Sequence, residues 1–398
     1  MDFSLVELTR DQQIFQRTVR ALLDEVVTDE VHEHERATGD GISVPVHLAL
    51  GRHGWVMPEW PVEDGGAGLD PVCRRILELE LARYQVPRIG LGTTRLVWAA
   101  VERFGSRELR ERLGPGVADG SVRFCLGYSE PDGGSDIAAA RVRAVRDGDH
   151  WIVNGSKLWT TGAQCCQYSF VITRTDPDLP KHKGLTMFLV PLDLPGVEIQ
   201  PIMTYGGERT NAVFFGDVRV SDDQRLGEVN DGWTVLRGPL DKEHSLGPGR
   251  DVLEDLSSLR QYLRPLETAL DVAVAWARDS TKPDGSGPLA DAAVLERLGR
   301  AATEIELAVC TPGPLGRVKI GDVMIEQSAQ LMDLVGTEAL ISAGADGALG
   351  HEGDIDFTHR FAQGTTIYGG TVEVFRNIIA QHDLHLPRAS FPGAKVVI

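Results

Sequence analysis

The amino-acid sequence predicts an α+β protein in which helical domains flank a central β-domain. Apolar residues recur at helical spacing up to about residue 122 and again from about residue 230 onward. Between these regions the sequence shows short apolar runs separated by two-residue turn signals. We therefore expect a helical domain over 1–122, a β-domain over 123–228, a helical bundle over 229–388 and a short tail over 389–398.

Apolar stripes predict the helical regions. In the first expected helix the apolar positions repeat every three to four residues, at Ile14, Val19, Leu22, Leu23 and Val26. Later stripes occur at Leu253, Leu256, Leu259 and Leu263, and at Ile320, Val323, Met324, Leu331 and Leu334. Side chains at this spacing share one helix face, so these segments predict amphipathic helices that pack on a core.

Turn dipeptides organise the expected β-domain. Asp147-Gly148 and Asn154-Gly155 are both typical of two-residue hairpin turns. They bracket an expected strand at 151–153, and the next strand is expected over 156–161. Further short strands are expected at the apolar runs 170–172, 187–190 and 212–215.

Composition excludes several classes of protein. The 398 residues include 58 acidic and 40 basic side chains, a formal charge of −18 that argues against a general nucleic-acid-binding protein. No apolar run reaches the roughly 20 residues that span a bilayer. The first residues lack a signal-peptide pattern, so we expect a cytoplasmic protein that does not enter the membrane. The five cysteines show no CxxC spacing, which favours free thiols over a disulfide framework or a metal site.

The segment IYGGTVEVFRN at 367–377 has the most informative pattern. The pair Gly369-Gly370 precedes Thr371, which is a favourable N-cap residue for a helix. An apolar helix face follows at Val374, Phe375, Ile378 and Ile379. The N–H groups at such a helix start have no partner within the helix, and they can bind an anion or a developing oxyanion.

Several motifs occur in the order typical of the acyl-CoA dehydrogenase family. The segment LGYSEPDGGSD at 126–136 resembles the family's flavin-binding signature, and WTT at 159–161 resembles the second flavin segment. DVRV at 217–220 and NIIA at 377–380 are similar to later family motifs. The resemblance covers nearly the whole chain. It implies an N-terminal helical domain, a central β-barrel domain and a C-terminal four-helix bundle.

The resemblance implies that FAD is the cofactor. Gly134 and Ser135 allow the backbone to approach a pyrophosphate, and the hydroxyls of Ser129 and Thr161 suit the polar atoms of a flavin ring. Trp159 offers a broad apolar face beside that ring. The cofactor positions of the family correspond here to Leu126, Tyr128, Ser129, Gly134, Ser135, Trp159, Thr160 and Thr161 and, toward the C-terminus, to Gly336, Thr371 and Glu373.

Family members remove the α-proton of an acyl thioester with a base and transfer a β-hydride to flavin N5, which yields the trans-2-enoyl thioester. The resemblance assigns stabilisation of the enolate oxygen to a flavin ribityl hydroxyl and to the backbone N–H of Gly369. Many members carry their catalytic glutamate at this position, but a glycine has no side chain that takes a proton. The chain therefore keeps the oxyanion donor and needs a base elsewhere. The acyl carrier is either CoA or an acyl-carrier protein.

Glu243, within the segment LDKEH at 240–244, is the predicted base. It resembles the catalytic glutamate of the isovaleryl- and long-chain-type branch, at the start of the helix that flanks the substrate pocket. A partly desolvated carboxylate within reach of the α-proton suits this role. Glu373 is the second candidate base. The resemblance further implies substrate contacts at Ser135, Asp241, His244, Arg360 and Gly370.

Two departures from the family pattern keep other functions open. The family's arginine turn toward a neighbouring subunit's FAD is absent around 278–282, and Thr337 replaces a glycine. The main hypothesis is an FAD-dependent acyl-thioester dehydrogenase. The alternatives are a flavin-poor structural subunit of a mixed dehydrogenase complex and a flavin monooxygenase or oxidase on the same fold. The resemblance also implies an electron-transfer flavoprotein or another acceptor as partner, and a homotetramer, a homodimer or a hetero-oligomer as the assembly.

Overall fold

The computed structural model describes residues 7–243, 252–281, 286–341, 346–350 and 353–387, with side chains described in these ranges except at 241–243 and 252–261. The chain divides into two units, Met1–Leu240 and Asp241–Ile398. Helices precede and follow a sheet, as the sequence predicts. Each unit is described by itself below.

The helices described before the sheet are α1 (Arg10–Val26), α2 (Asp29–Thr38), α3 (Val44–Arg52), α4 (Pro71–Arg83), α5 (Ile89–Phe104) and α6 (Arg107–Ala118). Thr9 begins α1 with a capping box. Its Oγ1 accepts a hydrogen bond from Gln12 N at 3.3 Å, and its N–H donates to the Gln12 side chain at 2.9 Å. The apolar stripe of α1 is confirmed at Val19 and Leu23, which are fully buried in one core with Leu77 of α4.

The described strands form one sheet, with β1 (Phe124–Gly127), β2 (Arg143–Asp147), β3 (His150–Lys157), β4 (Tyr168–Arg174), β5 (Leu185–Pro191), β6 (Val197–Met203), β7 (Arg209–Ser221) and β8 (Arg225–Leu226). Their order is β6–β7–β3–β2–β4–β5–β8, and β1 pairs in parallel with β4. Strands β4 and β5 are buried along nearly their whole length. Both faces of the sheet are therefore covered where β4 and β5 lie.

The two turn dipeptides of the β-domain behave differently. Asp147-Gly148 forms the predicted hairpin between the antiparallel strands β2 and β3. The prediction of a second hairpin at Asn154-Gly155 is wrong, because β3 runs through it, and the strand expected over 156–161 ends at Lys157. Gly155 takes φ 133° and marks a bulge where the register with β7 shifts. Pairing with the long strand β7 outweighs the local turn preference.

The helices described after the sheet are α7 (Gly232–Glu243), α8 (Val252–Asp279), α9 (Ala292–Val309), α10 (Gly313–Val335), α11 (Asp354–Thr365) and α12 (Val372–Ile378). Helix α10 packs against α8, α9 and α11, which confirms the bundle of four long helices. Its core includes Leu263, Ala273, Leu298, Ile305, Ile320, Met324, Leu331 and Ile355. No helix within the described ranges is both long and apolar enough to cross a membrane.

Candidate active site

Two segments that follow strands β1 and β3 lie side by side in the first unit. Leu158 N donates a hydrogen bond to Ser129 O at 2.9 Å. This bond joins the two stretches that the sequence assigns to a flavin. Trp159 takes φ 60°, in the left-handed region, and is 57% exposed. Non-glycine residues are rarely held in this conformation, which marks Trp159 as a candidate functional position.

A buried ion pair anchors both segments. Lys157 is fully buried, and its Nζ lies 2.7 Å from Glu130 Oε1 and 3.3 Å from Tyr128 O. The Glu130 carboxylate also accepts hydrogen bonds from Arg141 N at 2.7 Å and Val142 N at 3.0 Å. Burial lowers the pKa of Lys157 to about 8, an effect that the Glu130 carboxylate opposes. The pair thus ties both ends of the intervening loop to the end of β3.

The loop between these anchors is suited to a phosphate-bearing ligand. Gly134 and Ser135 are exposed, and a Cβ atom at Gly134 would lie 3.4 Å from Ser129 Oγ. A ligand can therefore approach this backbone closely. Ser129 and Thr161 are half-buried polar residues, and Trp159, two residues before Thr161, adds exposed aromatic surface. This donor set fits the pyrophosphate and ring of a flavin nucleotide.

Three predicted cofactor residues are largely buried. Leu126 and Tyr128 pack into the domain core, where the rings of Tyr128 and Phe170 meet edge-on with centroids 5.9 Å apart. Thr160 is fully buried, so it offers no surface to a ligand in this conformation. The sequence assigned contact with the cofactor to all three. Their burial favours a supporting role by packing.

Asn211 binds the backbone of the second candidate flavin segment, at Thr160. It is fully buried, and its backbone O accepts a hydrogen bond from Thr160 N at 3.0 Å. Its Nδ2 donates to Thr160 O at 3.0 Å and to Gln164 Oε1 at 2.7 Å. Gln164 Nε2 in turn donates to Asp40 Oδ1 at 2.7 Å. Both polar groups of the Thr160 backbone are therefore bound by one residue, which the sequence analysis did not single out.

The glycine turn at 368–371 lies in the second unit. Gly369 and Gly370 take φ 65° and 89°, in the left-handed region that glycine adopts without strain. Thr371 caps α12 as predicted, since its Oγ1 accepts a hydrogen bond from Val374 N at 3.2 Å. Both glycines are half-buried, and no described residue accepts a hydrogen bond from their N–H groups. The turn therefore presents two backbone donors that are available to a ligand.

Aromatic packing fixes the residue before the glycines. The centroid of the Tyr368 ring lies 6.0 Å from that of Tyr262 and 6.5 Å from that of Phe361. Gly364 makes room for this ring, because a Cβ atom there would lie 2.7 Å from Tyr368 Cε1. The start of the turn consequently has a defined position against α8 and α11.

The predicted base and two predicted substrate residues lie at or just beyond the last residues of α7. Helix α7 ends at Glu243, but the side chains of Asp241 and Glu243 and the whole of His244 lie outside the described residues. Their roles stay predictions. Arg360, on α11, pairs with Asp356 one turn earlier, with Nε and Nη2 each 3.0 Å from Asp356 Oδ2.

The remaining predicted cofactor residues lie on the surface of the second unit or at a helix end. Gly336 ends α10 with φ 76°. The Glu373 side chain is 71% exposed and lies 3.9 Å from Arg376 Nη1. A carboxylate this solvated suits a binding contact better than the role of a base. Across the described ranges, no three His, Cys, Asp or Glu side chains are arranged to hold a metal ion.

Comparisons with known proteins agree on one family. The acyl-CoA dehydrogenase N-terminal domain matches residues 9–121, and the acyl-CoA dehydrogenase middle domain matches residues 125–219. The acyl-CoA dehydrogenase IpdE1 of Mycobacterium tuberculosis is 34% identical over 374 residues, which covers 90% of each chain. The crystal structure of the ChsE4-ChsE5 complex from Mycobacterium tuberculosis matches with a TM-score of 0.79 and 29% identity over 97% of this chain and 100% of that chain. The structure of the Tcur3481-Tcur3483 steroid ACAD matches with a TM-score of 0.79 and 28% identity over 98% of this chain and 100% of that chain.

Proposed function

The chain belongs to the acyl-CoA dehydrogenase family, whose members are flavin-dependent oxidoreductases that act on CH–CH groups, and we propose that it converts an acyl thioester to the trans-2-enoyl thioester with FAD as cofactor. The observation that carries this proposal is the glycine turn. The half-buried N–H groups of Gly369 and Gly370 have no acceptor among the described residues. Such donors suit a thioester oxygen that gains negative charge.

In the proposed reaction the base takes a proton from the carbon next to the thioester carbonyl. The electron pair of the broken C–H bond moves toward the carbonyl oxygen. The N–H of Gly369 stabilises that oxygen through a hydrogen bond that strengthens as the charge develops. Since Gly369 has no side chain, we assign the base to Glu243, at the end of α7. FAD, when bound, supplies the acceptor for the hydride that leaves the β-carbon.

Residues of the first unit support the assignment of FAD. The hydroxyls of Ser129 and Thr161 are candidates for the polar edge of the flavin ring, and Trp159 is the candidate for its face. The exposed backbone at Gly134 and Ser135 is the candidate for the pyrophosphate. The buried pair of Lys157 and Glu130 keeps these groups in place.

We further propose that the acyl group is bulky. Both residues after Tyr368 are glycines, so no side chain occupies the space beside the turn. The solved steroid ACAD with 28% identity supports an alicyclic acyl group. We expect Arg360 and Ser135 to contact the carrier part of the thioester, with CoA preferred over an acyl-carrier protein because Arg360 resembles a CoA-binding arginine of the family.

Assembly and partners form a separate part of the proposal. The match to the ChsE4-ChsE5 complex supports a hetero-oligomer beside the homotetramer or homodimer that the resemblance implies. An electron-transfer flavoprotein is the proposed acceptor of electrons from the reduced cofactor. The five free cysteines agree with a reducing compartment, which supports a cytoplasmic location.

The test is an anaerobic titration of the purified protein with acyl-CoA thioesters that range from straight-chain to steroid-derived acyl groups. We expect the visible flavin absorbance to bleach with the preferred thioester. Glu243→Gln keeps the size of the side chain but removes the proton acceptor. It should slow bleaching about 10³-fold while FAD stays bound.

Glu373→Gln is the matched control, because it makes the same change at the second candidate base. We expect this variant to keep bleaching once FAD is bound, with at most weaker FAD binding, because Glu373 is a candidate cofactor contact and not the predicted base. Bleaching at the wild-type rate in Glu243→Gln would overturn the assignment of the base. A loss of bleaching in Glu373→Gln alone, with FAD still bound, would assign the role of the base to Glu373.

A flavin-poor structural subunit is the second candidate function. Thr337 at a glycine position of the family and the absent arginine turn around 278–282 favour it. The visible spectrum of the chain purified alone separates the two candidates. A full complement of FAD supports the enzyme, whereas a colourless chain that gains flavin only with a partner supports the subunit. Oxygen consumption with a hydroxylated product would instead identify a monooxygenase or oxidase.

A further inference from the structure

Arg317, on α10, is a buried cation with no carboxylate partner among the described residues. It is 4% exposed, and its Nη2 donates a hydrogen bond to the backbone O of Tyr368 at 2.7 Å. Its Nη1 is buried and has no hydrogen-bond partner in the described part of the chain. The guanidinium carbon lies 5.2 Å from the ring centroid of Tyr262 and 5.7 Å from that of Phe375. Aromatic faces thus hold a charge that no described carboxylate neutralises.

Burial of such a charge costs free energy, so the presence of Arg317 at this position calls for a functional explanation. An aliphatic side chain would fill the space near Tyr262 and Phe375 without that cost. The one hydrogen bond that Arg317 makes in the described structure is to Tyr368 O, at the start of the glycine turn. The charge of Arg317 therefore acts on the glycine turn.

Tyr368 C=O and Gly369 N–H are the two ends of one planar peptide unit. A cation that binds the oxygen of a peptide polarises that unit and makes its N–H a stronger donor. We infer that Arg317 is a positioning residue, which strengthens and orients the N–H of Gly369 toward the developing enolate oxygen. The inference rests on the proposed function, because it needs Gly369 N–H to serve as the oxyanion donor.

The same helix sets the position of the turn. Gly321 lies one helical turn after Arg317, on the same face of α10. A Cβ atom at Gly321 would lie 2.9 Å from Val372 Cγ1 and 3.3 Å from Thr366 Cγ2. Val372 N also donates to Thr366 O at 3.1 Å, which closes the turn. Arg317 consequently binds a turn that is already held against α10 on both sides.

Arg317 takes no proton in the proposed step. The α-proton goes to the base, the electron pair moves into the enolate, and the guanidinium keeps all its protons. Its effect falls on the energy of the enolate and not on binding of the unreacted thioester. This predicts a fall in kcat with little change in KM.

The test uses the FAD-loaded protein and acetoacetyl-CoA, whose acidic α-protons allow enolisation to be followed by ultraviolet absorbance as the pH is varied. Arg317→Met should disfavour the bound enolate about tenfold, because the polarising charge is lost while the N–H remains. This equals a rise of about one unit in the apparent pKa of the bound probe. Arg317→Lys keeps the charge and should restore part of the effect.

Arg297→Met is the matched control. Arg297, on α9, also donates from Nη2 to a backbone carbonyl, that of Gln330 at 2.6 Å. Gln330 lies near the end of α10 opposite to Arg317. The Arg297→Met variant should leave enolisation unchanged.

If Arg317→Met does not fold, Arg317→Gln removes the charge and keeps a donor. A folded neutral variant with the wild-type enolate equilibrium overturns the role of Arg317 alone. A wild-type protein that neither binds FAD nor enolises the probe contradicts the proposed function itself.

Discussion

The candidate flavin segments of the first unit and the glycine turn of the second are built in opposite ways. In the first unit, the buried side chains of Lys157, Glu130 and Asn211 hold an accessible loop and its neighbouring segment in place. In the second unit, the backbone at Gly369 and Gly370 itself supplies the donors. A site held by side chains should fail when one of them is removed. A site made of backbone N–H groups should tolerate substitution.

The largest expected effect is that of Lys157→Met in the first unit. This variant leaves the buried Glu130 carboxylate without its cation. Breaking a buried ion pair by removing one partner costs about 3 to 5 kcal/mol. We expect chemical denaturation to show a loss of this size. The purified variant should also retain little FAD, because the loop that carries Gly134 and Ser135 loses its anchor.

Lys181→Met is the matched control for that variant. Lys181 pairs with Asp136 of the same loop at 2.7 Å, but the two side chains are 51% and 56% exposed. The expected loss is therefore below about 1 kcal/mol. Adding Glu130→Gln to Lys157→Met should recover stability, since no charge then stays buried without a partner. Equal losses in the two lysine variants would show that burial of the pair is not what holds the loop.

An intermediate effect is expected for Asn211→Ala. The variant removes the donor to Thr160 O and Gln164 Oε1 inside the sheet, at a cost of about 1 to 3 kcal/mol. Thermal unfolding should reveal this loss, and fluorescence titration should reveal weaker FAD binding. Asn377→Ala makes the same change at an exposed position of α12, where the side chain has no hydrogen bond within the described residues, and should change stability by no more than about 0.5 kcal/mol. Wild-type behaviour of Asn211→Ala would mean that the sheet alone positions Thr160.

The sequence predicts the helices and the order of domains because their signals repeat over many residues. The stripe of α1, with Val19 and Leu23 on its buried face, is such a signal. Strand boundaries depend on partners that are distant in the chain. Asn154 is bonded to Asp217, 63 residues later, and this pairing turns a local hairpin signal into a bulge. No local pattern contains that information.

The same distinction separates the parts of the candidate site. The glycine turn is a contiguous motif and is predictable, whereas its support by Arg317 comes from a different helix. A weak signal was present, because Arg317 precedes Ile320 and Met324 by three and seven residues and so shares their buried face. Lys157 likewise falls on the buried face of its strand, together with Val153. A charged residue at a position whose periodicity places it on the buried face of a helix or strand is thus the sequence pattern that indicates a residue supporting the candidate site.

The smallest expected effect is that of Gly369→Ala in the second unit. Alanine in the left-handed region costs roughly 1 to 2 kcal/mol, but the N–H that the proposal uses is kept. We expect denaturation to show a loss near the lower end of that range, with unchanged FAD binding. Bleaching should slow mainly for the bulkiest thioesters, because the new methyl group occupies space beside the turn.

Gly299→Ala in α9, where an added Cβ meets no atom within 4 Å, makes the same change at an ordinary helical position. It should raise stability by about 0.5 to 1 kcal/mol, since alanine restricts the unfolded chain. If Gly369→Ala instead abolished bleaching with every thioester while the protein stayed folded and FAD-bound, the retained N–H would not be sufficient. The turn would then depend on the absence of a side chain at Gly369 as strictly as the candidate flavin segments depend on Lys157. The contrast between the two units would be lost.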